Sequence, residues 1–139
     1  LDVTYTPSST GGRVRNPYVA VWVEDSANAM VGIIGLMYSQ RDAKYLRELT
    51  EFMAAATPLT NEAADAVTGA TRQAGAYQFE WDGLGLDGSA LTGDYTIYVE
   101  AAREHGPHTV ISGSVTLGQS GSATITGDGE LSDVAVTVV

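Results

Sequence analysis

Residues 65–71 read D-A-V-T-G-A-T and bring two hydroxyls, a carboxylate and the adjacent small pair Gly69 and Ala70 into one short stretch. Asp65 and Thr68 are types that hydrogen-bond nearby backbone N–H groups, and Gly69 is free to take a positive φ. Such a set can shape a tight connection, but turning a chain does not require all five in this order. A second group, Arg103, Glu104 and His105 with His108 three residues on, follows a strand-like run. Its plain reading is a strand end held by an Arg–Glu pair. Two histidines near carboxylates also raise zinc, yet their spacing matches no structural zinc pattern. Residues 127–130, G-D-G-E, and the turns at Asp82 and Asp87 lack the alternating oxygen ligands of a calcium loop. No serine or threonine has a His/Asp partnership that would indicate nucleophilic hydrolysis, so no catalytic residue and no metal site are expected.

The composition narrows the choices further. Seventeen acidic against seven basic residues give a formal charge of −10, which repels phosphate backbones and anionic lipid and argues against nucleic acid as a partner. With no cysteine, disulfides, thiolate metal sites and cysteine nucleophiles drop out together. No run approaches the roughly 18 apolar residues of a membrane helix, so no membrane insertion is expected. The chain begins at Leu1 rather than methionine, from which we expect a removed upstream segment such as a signal peptide. At 139 residues a single domain, 1–139, with a true core is expected.

The elements that must position these residues follow from hydrophobic period. "LDVTYTP" alternates as a strand. "PYVAVWVED" is apolar on both faces, with Val19, Val21 and Val23 on one and Tyr18, Ala20 and Trp22 on the other, which predicts a central strand. "DSANA" and "MVGIIGLMYS" predict a turn and a second strand of a hairpin. The period then changes: Tyr45, Leu46, Leu49, Phe52 and Met53 form one stripe of a helix over about 41–56, ended by Thr57-Pro58. Residues 58–75 read as a long loop, which is where function often sits. From "AYQFEWDG" onward, strands recur at the 8–12-residue rhythm of a β-sandwich, with Tyr95, Ile97 and Val99 sharing a face. Tyr18, Trp22, Tyr38, Tyr77, Trp81 and Tyr95 read as core or half-buried strand residues, one or two of which could stack on a ring ligand.

Three resemblances add to this reading. Residues 81–101, "WDGLGLDGSALTGDYTIYVEA", resemble the strand-turn-strand signature of immunoglobulin-like modules such as that of flagellar hook-assembly proteins. The implied fold is an all-β, Ig-like β-sandwich with one inserted α-helix. The segments "NPYVAVWVED", "KYLREL", "DAVTGATR", "YQFEWDGLGLDG", "GDYTIYVEAAREHG" and "VTLG" resemble, in that order, the DUF2271 family of predicted exported bacterial proteins. Last, "DAVTGAT" is similar to the target motif of the flavin transferase family, D-x-x-[ST]-G-A-[ST], and fills its five defined positions with Asp65, Thr68, Gly69, Ala70 and Thr71. A chance match in a chain of this length and composition is on the order of a few in a thousand.

The motif resemblance implies FMN joined by a phosphoester to the Thr71 hydroxyl, which must then be accessible. Gly69 and Ala70 would keep the flanks small enough for a transferase cleft, and Asp65 and Thr68 would hold the loop. Arg103 or His105 would meet the flavin phosphate or the pyrimidine edge. The expected protein is a periplasmic or otherwise extracytoplasmic electron carrier, not an enzyme. It would be modified by a flavin transferase and would exchange electrons with membrane or extracytoplasmic redox proteins. The alternative is a non-redox Ig-like binding or assembly module.

Overall fold

A computed structural model describes residues 2–5, 18–38, 68–70, 75–102, 108–129 and 131–138. Among them there are nine strands and no helix: β1 (Asp2–Tyr5), β2 (Tyr18–Glu24), β3 (Met30–Tyr38), β4 (Thr68–Ala70), β5 (Gly75–Gln78), β6 (Gly93–Ala102), β7 (His108–Leu117), β8 (Gly121–Ile125) and β9 (Val134–Val138). They form a four-stranded sheet in the order β5-β1-β9-β8 and a five-stranded sheet in the order β4-β3-β2-β6-β7. The helix expected over 41–56 lies outside the described residues.

Strand β2 is the middle strand of the larger sheet, and all seven of its residues are buried. Its alternation decides where each face goes. Val19, Val21 and Val23 join the core with Ile97 and Val99 of β6, Ile111 and Val115 of β7, Ile125 of β8, and Val134 and Val136 of β9. This cluster draws on both sheets, so the sheets share one apolar core. Tyr18, Ala20 and Trp22 point to the other face and are buried there too. The two-faced reading of this strand therefore holds, as does the shared face of Tyr95, Ile97 and Val99.

The β2–β3 hairpin closes on Asp25. Its Oδ1 accepts from the N–H groups of Ala27 at 2.9 Å and Ala29 at 3.0 Å, while Asn28 takes a φ of 60°. Aspartate and asparagine suit these places because one bonds its own turn and the other tolerates the left-handed region. The register of the hairpin shifts twice, between Val21 and Trp22 and between Val23 and Glu24.

Strand β4 departs from the sequence reading. Within the stretch expected as a loop, Thr68–Ala70 pair in parallel with Leu36, Met37 and Tyr38. Every other strand pairing is antiparallel. A parallel neighbour cannot be reached by a tight turn and needs a crossover of a dozen residues or more, for which residues 39–67 are long enough.

Candidate functional site

The register places the motif strand within the larger sheet. Reading across its strands, Thr68 opposes Leu36, Leu36 opposes Ala20, Ala20 opposes Glu100 and Glu100 opposes Val110. The next row is Gly69, Met37, Val19, Ala101 and Thr109. One step further, Ala70 pairs with Tyr38 on one side of the sheet, and Tyr18, Ala102 and His108 run together on the other. Strands β4 and β6 thus finish at the same end of the sheet, where β7 begins. Ala70 is the residue before Thr71, and Ala102 the residue before Arg103. Three strand spacings separate β4 from β6, roughly 14 Å.

Asp65, Thr71, Arg103 and His105 lie outside the described residues, and of the motif the structure places Thr68, Gly69 and Ala70 at the register positions given above. His108, the second histidine of that group, is described at the start of β7. Its Nε2 is hydrogen-bonded to Glu100 Oε2 of β6, and the Glu100 side chain is completely buried while that of His108 is 38% exposed. Glu100 sits diagonally from His108 across the β6–β7 pair, because Ala102 is the residue directly opposite. A carboxylate removed from water needs such partners. Sequence reasoning missed Glu100, although an acidic residue inside the apolar run "YTIYVEAA" was a signal that it would need one.

The same face holds an aromatic pair. Trp22 and Tyr98 are opposite residues of β2 and β6, and their rings stack with centroids 5.2 Å apart and planes 9° from parallel. The Trp22 Nε1–H donates to Glu24 Oε2 at 2.8 Å. With Trp22 only 1% exposed, it is a buried structural aromatic and offers no open ring face to a ligand.

The turn readings elsewhere hold. Asp82 Oδ1 accepts from Leu84 N–H at 3.0 Å, and Asp87 Oδ1 accepts from the backbone N–H and hydroxyl of Ser89 at 2.9 and 2.6 Å. Gly83 and Gly88 follow these aspartates with φ of 79° and 84°. Asp128 and Leu131 exchange two backbone bonds at the turn that follows β8, and Asp133 Oδ1 caps it by accepting from Gly127 N–H at 2.7 Å. Among the described residues no three His, Asp or Glu side chains gather where a metal ion could be held. Among them, too, no helix is long and apolar enough to cross a membrane.

Two packed sheets with a short parallel edge strand carrying T-G-A define the class: an all-β domain of two layers. The family model described as "Predicted periplasmic protein (DUF2271)" matches residues 1–133, and the chain belongs to that family. The match takes in β1 and stops just before β9. That description supports an extracytoplasmic location. No curated protein and no solved structure matches the chain.

Proposed function

We propose that this domain is an extracytoplasmic flavoprotein that carries FMN on Thr71 and relays electrons between redox partners, on an immunoglobulin-like sandwich. The observation that carries the reading is the motif: all five defined positions of the flavin transferase target are filled, by Asp65, Thr68, Gly69, Ala70 and Thr71. In attachment, the Thr71 oxygen bonds to the FMN phosphorus as the pyrophosphate link of FAD breaks. AMP leaves, and the hydroxyl proton passes to a base. Bound flavin supplies one- or two-electron transfer. The chain's own task is to present and retain it. A covalent link prevents loss of the cofactor outside the cytoplasm.

The surroundings of the motif fit such a group. Among the described residues Thr68–Ala70 form the outer strand of the larger sheet, so this part of the motif lies at a sheet edge. Arg103 and His105 follow the strand that ends in the same row, and a phosphate needs cationic company in a chain with a net charge of −10. The binding-module alternative has one observation in its favour, the exposure of Leu84 at 40% and Leu86 at 49% on the turn after β5. Intact mass after co-expression with a flavin transferase separates the two. A gain of one FMN residue supports the carrier, and an unmodified chain beside a modified control target removes it.

A further inference from the structure

A second candidate site begins at the end of the larger sheet away from the motif row. Between the two sheets is a half-open cavity of about 470 Å³. Ile97 and Leu117 line it from the larger sheet, Val136 and Val138 from the smaller one, and Phe79 and Trp81 from the segment after β5. Leu117 is opposite Gly93, the first residue of β6, whereas the motif row meets the last, Ala102. Ten residues of extended strand put the two ends roughly 30 Å apart. From that end the lining reaches Ile34 and Ile97 in the middle of the larger sheet, and the inference drawn from the cavity does not rest on the proposed flavin function.

The aromatic wall is built in place. A Cβ on Gly35 would lie 2.4 Å from Phe79 Cδ1, and one on Gly32 would lie 3.1 Å from Trp81 Cζ2, so each ring rests directly on a glycine of β3. Rings seated this way cannot sink further inward to fill the space beside them. Ala90 and Thr92, small and exposed, line its solvent side, where larger residues would narrow it. Among the described residues the charged one lining it is Asp82, which is exposed and accepts from Leu84 N–H. An apolar, pre-formed pocket of this size with a few fixed polar groups is the usual form of a small-molecule site.

We infer that this cavity is a binding site for a small aromatic molecule bearing a cationic group, the ring entering between Phe79, Trp81 and the inter-sheet core and the cation meeting Asp82 at the mouth. The aromatic preference comes from the Phe79 and Trp81 rings, which line the cavity and are backed by Gly35 and Gly32. The charge preference comes from the Asp82 carboxylate, reinforced by the net charge of −10, which draws cations in and repels anions.

The test compares two probes with the same ring, 1-naphthylmethylamine and naphthalene-1-sulfonate, titrated into the whole chain. The readout is the indole N–H signal of Trp81 in a two-dimensional NMR spectrum, assigned as the one lost in Trp81→Phe. The Trp22 indole, bonded to Glu24, is the internal control. The amine should shift the Trp81 signal saturably, leave Trp22 in place and bind about tenfold or more tighter than the sulfonate. Asp82→Asn keeps an oxygen to accept from Leu84 and removes the charge, so the preference should fall to about threefold or less. Ala90→Phe fills the mouth and should weaken both probes by about tenfold, with the Trp22 signal showing that the fold is kept. No saturable shift in the wild type, binding of the sulfonate as tight as that of the amine, or an unaltered preference in Asp82→Asn would each overturn the assignment.

Discussion

Glu100 and His108 are joined side chain to side chain across β6 and β7, one wholly buried and the other reaching solvent. The bond ties a carboxylate inside the sheet to the sheet end at which the motif strand also stops. Removing the histidine leaves the acid in place with one donor fewer. His108→Ala should therefore destabilise the domain by about 1–3 kcal/mol, read from urea unfolding. Glu100→Gln retains an acceptor without the charge, and adding it to His108→Ala should recover part of the loss. Losses that simply add would show that the two side chains are not energetically coupled.

The glycines of β3 offer a sharper test of packing. Alanine at Gly35 would put its methyl 2.4 Å from the Phe79 ring, which must move, whereas a Cβ at Gly121 of β8 meets nothing within 4 Å. Gly35→Ala should cost about 1–3 kcal/mol through overpacking. Gly121→Ala should be neutral or stabilising by a few tenths of a kcal/mol, up to about 1 kcal/mol. Thermal unfolding of the two variants side by side checks the ordering, and equal effects would mean that Phe79 does not rest on β3 in solution.

Asp87 is held below the ordinary aspartate range, first by the Ser89 hydroxyl and then by the Ser89 backbone N–H. Its folded pKa lies below the unfolded one, so the contribution to the turn is present above the unfolded value and is lost as pH falls through the folded value. In Ser89→Ala the larger cause disappears and the smaller remains. The Asp87 carboxyl carbon, followed by NMR titration, should then titrate at higher pH than in the wild type. A midpoint that stays where it was would remove the hydroxyl as the cause.

How far the sequence carried these conclusions differs by element. Strand β2 was legible because both of its faces are apolar, which only a middle strand can bury. The turns at Asp25, Asp82 and Asp87 were legible because their bonds lie within a few residues of the side chain that makes them. Strand β4 was not. T-G-A has little strand character of its own, and its pairing depends on Leu36, Met37 and Tyr38, thirty-odd residues away. Glu100 was overlooked for a related reason, since its partner is chosen by the β6–β7 register and not by a local pattern. The cavity too depends on contacts distant in sequence, for Gly32 and Gly35 acquire meaning only when Trp81 and Phe79 settle on them.

The acceptor hydroxyl is the point on which the proposed function turns. Thr71→Val removes the nucleophilic oxygen while nearly preserving shape, so the chain should fold with an unchanged unfolding midpoint and carry no covalent flavin. Thr71→Ser keeps an alcohol, which the target pattern accepts at that place, and should retain part of the modification. Thr68→Val leaves the acceptor intact, so its effect should be on the extent of transfer and not on the attachment site. Each variant is co-expressed with a flavin transferase, and flavin fluorescence of the denatured band is read together with the mass of the peptide containing Thr71. Flavin on the Thr71→Val chain would move the attachment to another hydroxyl. An unmodified wild type, under conditions that modify a known target, would leave T-G-A as a short edge strand and nothing more.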